Sequence, residues 1–299
     1  MSSEPIHLFL NPAAGRGRAA KRQAGIQQLL QQGEFPFEVH LSDARGDLEQ
    51  RVAGEIAAGA RRILVAGGDG SVHEAANAIL MSGGEAALGV IPTGTGNDFA
   101  KACDIPLNWE HATRLLTDRI AADETPRRID AAKMNSRYFI NGAGIGLDAK
   151  VTHVAQSIRW PIGDLVYLLA IFRTMIGGIT TPKLQISADD FSWDGPVTLV
   201  AISNGPSLGG MFQIAPMANN ADQQLEMLLA KPVTRRRILS LLPKLINGTH
   251  VGENDIIHQP VTSLTIRSRE PLPSHLDGEV QALQTDFEVT LLPATLKLL

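Results

Sequence analysis

One recurrence constrains the fold of this chain more than any other. An apolar run, a glycine-rich turn and a helix-period segment follow one another three times within the first 125 residues. Ile6 to Leu10 leads into Asn11 to Gly17 (NPAAGRG) and a helix through about Gln32. Ile63 to Ala66 leads into Gly67 to Ser71 (GGDGS) and a helix opening at Ser71 and Val72; Leu88 to Ile91 leads into Pro92 to Asp98 (PTGTGND) and FAKAC. A strand at Phe37 to Leu41 and a helix from about Gly46 to Ala60 are expected between the first two units. Parallel strands need crossover connections, so this punctuation predicts a parallel sheet covered by helices on both faces. All strand-to-helix loops of such a sheet lie on its carboxyl edge, which is the default ligand rim.

After about Pro126 the rhythm changes to short strands at hairpin spacing. Lys133-Met134, a turn at Asn135-Ser136, and Arg137 to Asn141 begin the series, with further candidates at Lys183 to Ser187, Val197 to Ser203, Leu225 to Ala230, Val261 to Ile266 and Phe287 to Leu292. Helices are expected near 161 to 176 and 235 to 247. This predicts an antiparallel β-sandwich as the second domain, with the boundary near Thr125-Pro126.

Charge and cysteine usage narrow the function classes. The net charge of -4 gives no pull toward nucleic acid, so any anion site must be local. A lone Cys103 forms no internal disulfide, and MSSEPIHLF lacks the basic stretch and apolar core of a signal peptide, which points to a cytoplasmic protein. The most apolar stretch, Leu165 to Phe172, is bracketed by Asp164 and Arg173 and is far too short to span a bilayer. It reads as an amphipathic helix, and Ile162 to Ile176 with Arg159, Trp160 and Arg173 is a candidate membrane-docking surface.

The glycine turns suit a polyanion. Glycines let the backbone take positive φ and let phosphate oxygens approach main-chain N–H groups, while the following helix adds its N-terminal dipole. Asp69 in such a loop is suited to hold Mg²⁺ or its waters; Thr95 offers a hydroxyl, and Asn97-Asp98 supplies an amide and a carboxylate where the helix begins. Arg16, Arg18, Lys21 and Arg22 make one basic helix start beside these acidic loops. In the second domain Asp277-Gly278-Glu279 places two carboxylates around one glycine, which can point to the same side if Gly278 bends the strand.

Spacing removes several rivals. There is no Walker loop and no G-x-S-x-G elbow, and His73-Glu74 lacks the second histidine of a zinc protease. The eight histidines are scattered, and no Cys/His cluster is expected to build a zinc site. Gly15, Gly17 and Ala20 with Asp43 fit a dinucleotide fingerprint, but Asn-Pro-Ala-Ala intervenes between the strand and the first glycine and loosens its tight turn.

Taken in order, NPAAGRG, GGDGS-V-H-E, PTGTGNDFA, NGAGIGLDA (Asn141 to Ala149) and LDGE (Leu276 to Glu279) resemble the bacterial diacylglycerol kinase and lipid kinase family, closest to the soluble YegS-like lipid kinases. The resemblance implies an α/β fold class, with an N-terminal Rossmann-like parallel-sheet domain of the NAD kinase and diacylglycerol kinase type and a C-terminal antiparallel β-sandwich. The nucleotide would lie in a cleft between a catalytic domain at 1–126, to which 294–299 return, and a sandwich at 127–293. It implies ATP contacts at Gly67, Gly68, Asp69, Gly70, Ser71, Val72, His73, Thr95, Asn11 and Ser42. Lys21, Asp69, Asp98, Asp222 and Glu279 would form a polar and Mg²⁺ network, with Asp277 or Glu279 as proton acceptor. A structural cation, Mg²⁺ or Ca²⁺, would sit on Asp222 and the main-chain oxygens of Asn219 and Gln224, where Gln223 stands in place of the usual glycine. His73 stands where asparagine is frequent. The implied activity is transfer of the ATP γ-phosphoryl group to a lipid hydroxyl reached by transient membrane contact, with a homodimer left open. An NAD kinase, or a nucleotide-binding sensor without catalysis, are the alternative readings.

Overall fold

The computed structural model describes residues 4–44, 46–158 and 165–299. Two compact units are formed, Met1–Asp130 with Pro293–Leu299, and Ala131–Leu292.

The first unit runs β1 (Ile6–Leu10), α1 (Ala14–Gln31), β2 (Phe37–Leu41), α2 (Asp47–Ala57), β3 (Arg62–Gly67), α3 (Asp69–Met81), β4 (Ala87–Pro92), α4 (Asp98–Ala102), α5 (Trp109–Ala121) and the start of β5 (Arg127–Met134). Its strands pair in parallel in the order β2-β1-β3-β4. Every residue of β1 and β4 is buried, as expected of strands covered on both faces, whereas edge strand β2 is only partly covered. The core joins Leu8, Leu10, Leu64, Ala66 and Ile91 of the sheet to Ile26 and Leu30 of α1 and Leu116 and Ile120 of α5. From β1 the chain steps to β2 on one side and then to β3 on the other. This reversal of direction makes β1 and β3 the topological switch point, where ligand crevices form in open α/β sheets.

The second unit holds β6 (Arg137–Phe139), β7 (Gly142–Gly146), α6 (Leu147–Ser157), α7 (Leu165–Ile176), β8 (Lys183–Ala188), β9 (Phe191–Pro196), β10 (Leu199–Ser203), β11 (Leu225–Ala230), α8 (Arg235–Asn247), β12 (Ile256–Val261), β13 (Ser263–Leu272), β14 (Ser274–Leu276), β15 (Glu279–Val280) and most of β16 (Gln284–Leu298). One antiparallel sheet has the order β12-β11-β10-β7-β14-β15, and β16, β13, β8 and β9 form another. Ile145, Val200, Ile202 and Met227 of the first pack with Leu184, Ile186, Ile266 and Phe287 of the second in one continuous core, which is the expected sandwich. The last residues of β16 pair in parallel with β4, Lys297 opposite Ala87 and Leu298 opposite Leu88. Asp130 anchors this return by accepting the Ala294 N–H at 2.7 Å.

Several expected boundaries move. The α3 helix opens at Asp69, two residues before Ser71, because Gly68 in extended conformation serves as its N-cap. Thr262 separates β12 from β13, so Val261 to Ile266 is not one strand; the Thr262 N–H and hydroxyl turn toward Asp189. Residues 142 to 146 form a buried strand that glycine content conceals, and α5, α6 and β9 are further elements that the pattern does not announce. Gly144 has a packing reason, since a Cβ there would lie 2.1 Å from Asp148 Oδ2 and 2.4 Å from His275 Nε2. Of the expected docking helix, α7 begins at Leu165, and Arg159, Trp160 and Ile162 lie outside the described residues.

Candidate active site

In the first unit the three glycine turns do meet. A Cβ on Gly94 would lie 2.5 Å from Gly68 Cα, and a Cβ on Gly15 would lie 2.1 Å from the Thr93 carbonyl oxygen. No side chain fits either distance, so these glycines exist to let the loops after β1, β3 and β4 touch backbone to backbone. Polar side chains complete the joint. Asn11 donates to Ser71 Oγ at 3.1 Å, and Thr93 N–H donates to the Gly67 carbonyl at 2.9 Å. Arg18 donates to the carbonyls of Gly15 and Gly94, both at 3.0 Å, tying the first turn to the third. The sequence shows Arg18 only as part of a basic run; its bridging role depends on a left-handed kink at Gly15, Arg16 and Gly17 that periodicity does not reveal.

Two carboxylates face one another across this joint. Asp69 opens α3 and accepts the Phe99 N–H at 3.2 Å, while Asp98 opens α4 and receives Lys101 Nζ at 3.3 Å. The Asp69 carboxyl is pushed up to about 6, first by burial and then by the negative charge of Asp98, against the opposing pull of the amides of Asn97 to Phe99. Such uncompensated negative charge on oxygen donors is what a divalent cation would balance. Thr93 adds a buried hydroxyl oxygen without a hydrogen-bond partner.

The remaining residues expected in this unit fall in different surroundings. Gly70 is half-buried, whereas Ser71, Val72 and His73 are buried within α3, and His73 Nε2 lies 3.3 Å from Asn77 Nδ2. His73 thus faces a helix neighbour. Thr95 and Lys21 are exposed, and Ser42 follows the carboxyl end of β2, its N–H bonded to the Leu10 carbonyl at 3.0 Å. Glu74 serves the structure rather than a ligand. Its two oxygens accept the N–H groups of Gly46 and Glu49 at 2.9 and 3.3 Å and thereby cap α2.

In the second unit Asp277-Gly278 is a two-residue turn, not a bent strand. Leu276 pairs with Glu279 across β14 and β15, and φ is +49° at Asp277 and +85° at Gly278. Positive φ at both central residues is the signature of the tight hairpin for which Asp-Gly is a preferred sequence. The buried Asp277 carboxylate is fully engaged. Its Oδ1 accepts from Asn141 N–H at 2.8 Å and Gly142 N–H at 2.9 Å, and its Oδ2 accepts from Ile140 N–H at 3.1 Å. Glu279 begins β15 half-buried. Two residues before Asp277, the wholly buried His275 has Nε2 3.0 Å from Asp148 Oδ2.

Asp148 also lines an apolar cavity of about 130 Å³. Tyr167 and Ile171 of α7, Ile238 and Leu242 of α8, and Leu199 and Leu228 of the sheet form much of its wall, and Asp148 is the only carboxylate among its described lining residues. Neither the cavity nor the Asp148–His275 pair is visible in the sequence, because the walls come from six elements dispersed over a hundred residues.

In the expected cation loop the candidate ligands are already engaged. Gln223 takes φ +64°, the conformation a glycine would supply. Asp222 Oδ1 accepts the Gln224 N–H at 3.1 Å, and the Asn219 carbonyl accepts the Asp222 N–H at 3.4 Å.

Comparison with known proteins agrees with this architecture. Residues 5–134 match the diacylglycerol kinase catalytic domain, and residues 142–299 match the YegS C-terminal NAD kinase beta sandwich-like domain. A probable lipid kinase YegS-like protein of Pseudomonas aeruginosa is 32% identical over 262 residues, 87% of this chain and 81% of the relative. The diacylglycerol kinase of Bacillus subtilis is 27% identical over 91% of this chain and 88% of its own length. A solved diacylglycerol kinase from Bacillus anthracis str. Sterne superposes with a TM-score of 0.76 at 25% identity, covering 99% of this chain and 96% of that one. With both units matched by family and the whole chain matched by fold, the protein is a lipid kinase of the family that includes the diacylglycerol kinases and the YegS-like proteins.

Proposed function

We propose that the protein transfers the γ-phosphoryl group of ATP to the hydroxyl of a diacylglycerol-, phosphatidylglycerol- or sphingoid-like lipid, with Mg²⁺ as cofactor. The observation that carries this reading is the apolar cavity of the second unit with Asp148 in its wall, hydrogen-bonded to the histidine that precedes the Asp277-Gly278 turn. A cavity near 150 Å³ accommodates a benzene-sized apolar guest, so this one suits a segment of acyl chain.

The loops of the first unit bind and orient the triphosphate. Asn11, Ser42, Ser71, Thr95 and Lys21 offer polar contacts, and Arg18 holds two of the turns together. Asp69 and Asp98 would hold Mg²⁺, which when bound neutralises phosphate charge; Asp222 with the carbonyls of Asn219 and Gln224 would hold a structural Mg²⁺ or Ca²⁺. Glu279 accepts the proton of the attacking lipid hydroxyl. Asp277 is the less suitable base, because three amide N–H groups already occupy its lone pairs; it fixes the turn from which Glu279 projects.

A lipid substrate requires a membrane surface. No helix among the described residues is long and apolar enough to cross a membrane. The α7 helix instead exposes Leu165, Phe172 and Ile176, which recur at helical spacing on one stripe, while Tyr167 and Ile171 of the same helix line the cavity. The stripe docks on the cytoplasmic face of the inner membrane.

The test is acceptor chain length. Val233→Phe narrows the cavity from its half-buried rim and is expected to raise KM for a long-chain lipid several-fold while leaving KM for ATP unchanged. Equal rates of the unaltered protein on long-chain and short-chain acceptors would remove the cavity from the mechanism.

A further inference from the structure

The strand pairing that builds the first unit also assembles a group of ligating side chains far from the glycine turns in sequence. In the parallel register of β1 and β2, His7 lies opposite Glu38 and Phe9 opposite His40. Side chains alternate along a strand, so His7, Glu38 and His40 share one face. His7 Nδ1 lies 3.1 Å from His40 Nε2, and ligating atoms of His7, Glu38 and His40 all fall within 4.8 Å of one another. Glu55 of α2 comes over the same face, 3.6 Å from His7 Nδ1 and 3.8 Å from His40 Nδ1.

We infer that His7, His40 and Glu38 form a binding site for Zn²⁺ or a similar first-row transition-metal dication, with Glu55 supporting the His40 ring at its second nitrogen. Histidines that lie 33 residues apart in the sequence become neighbours through strand pairing.

Four observations support the site. Tetrahedral zinc with bonds of about 2.0–2.1 Å holds two imidazole nitrogens about 3.3 Å apart, close to the spacing found here. Two imidazoles and a carboxylate suit zinc-like metals, whereas Mg²⁺ and Ca²⁺ prefer oxygen alone, so the cation of phosphoryl transfer would not compete. A carboxylate near the second nitrogen of a ligating ring is the usual outer support of such a site, and Glu55 supplies it at His40. Two carboxylates lie against the rings, while the nearby cation, Arg51, is engaged by Asp43 and Asp47 at 2.7 and 2.8 Å. Zinc would clip edge strand β2 to its neighbour β1. The site is independent of the lipid-kinase reading.

The experiment is equilibrium dialysis of the full-length protein against ZnCl₂ with a weak competing chelator, read by elemental analysis. One zinc per chain is expected, with affinity at least tenfold lower in His40→Gln and also reduced in Glu38→Gln. Both positions lie on an edge strand, and circular dichroism confirms that each variant is folded. Zinc is expected to raise the melting temperature by several degrees, and this gain to be lost in His40→Gln. X-ray absorption at the zinc edge, on the unsubstituted protein, is expected to show two imidazoles and oxygen. No retained zinc, retention unaltered in folded His40→Gln, or a zinc shell without imidazole would each overturn the assignment.

Discussion

Replacing Asp277 by Asn separates a structural carboxylate from a catalytic one. Asn keeps one carbonyl oxygen, which can still accept from Asn141 and Gly142, now at 2.8 and 2.9 Å from Oδ1. Its NH₂ group takes the place of Oδ2 and brings a donor against the Ile140 N–H, at present 3.1 Å away. One charge-assisted hydrogen bond is lost, worth about 1.5–3 kcal/mol, and the remaining two weaken as the acceptor loses its charge. The total is about 2–4 kcal/mol, a large share of the 5–15 kcal/mol that typically holds a domain together. In a unit of this size that lowers the melting temperature by roughly 5 to 15 °C. Calorimetry alongside lipid-phosphorylation rates is the assay. Asp277→Asn is expected to melt early, whereas Glu279→Gln melts with the unsubstituted protein and loses roughly 10²- to 10⁴-fold in turnover. An Asp277→Asn protein as stable as its parent, with turnover lost and Glu279→Gln fully active, would reverse the two roles.

Four further substitutions probe the first unit and the membrane face. Gly94→Ala must separate the loops by about 1 Å, since carbon atoms pack at about 3.5–4.0 Å and the new Cβ would lie 2.5 Å from Gly68 Cα. Its rate should fall on the order of 100-fold, whereas Gly54→Ala, exposed in α2 with nothing within 4 Å of the added Cβ, should be neutral or stabilising by up to about 1 kcal/mol. Asp69→Asn should abolish activity and raise the melting temperature at pH 7.5. The folded carboxyl titrates at about 6 against an ordinary value of 3.8, so the native state binds the extra proton between these values; stability falls as pH rises through that window, and the deficit is complete above it. The gain from Asp69→Asn should therefore vanish near pH 4, and a gain that persists there would refute the electrostatic explanation. Ile176→Glu, at a position 80% exposed, should weaken co-sedimentation with phospholipid vesicles at unchanged stability; undiminished binding would exclude α7 as the docking face.

Strong periodicity made the parallel sheet legible. β2 and β11 occupy the residues expected of them, and α8 spans 235 to 247 as read from its pattern. The glycine turns also announced themselves, because close backbone approach explains the glycines that follow β1, β3 and β4. What stayed hidden depends on distant pairing. GAGIG has no hydrophobic alternation, yet β7 is held as a strand by β10 and β14 on either side. The Asp277 carboxylate finds its amides 135 to 137 residues away, and the histidine pair exists only in the register of β1 with β2. Local propensity carries no trace of such contacts.

Incubating the protein with γ-labelled ATP and Mg²⁺ tests lipid-kinase activity most directly, in parallel with mixed-lipid vesicles, with NAD⁺ and with neither. Label is expected in the organic phase of the vesicle reaction alone, on a product whose mass exceeds that of a lipid alcohol by one phosphate, and absent with Glu279→Gln. Label confined to the aqueous phase and dependent on NAD⁺, or none transferred to lipid under any condition, would contradict it.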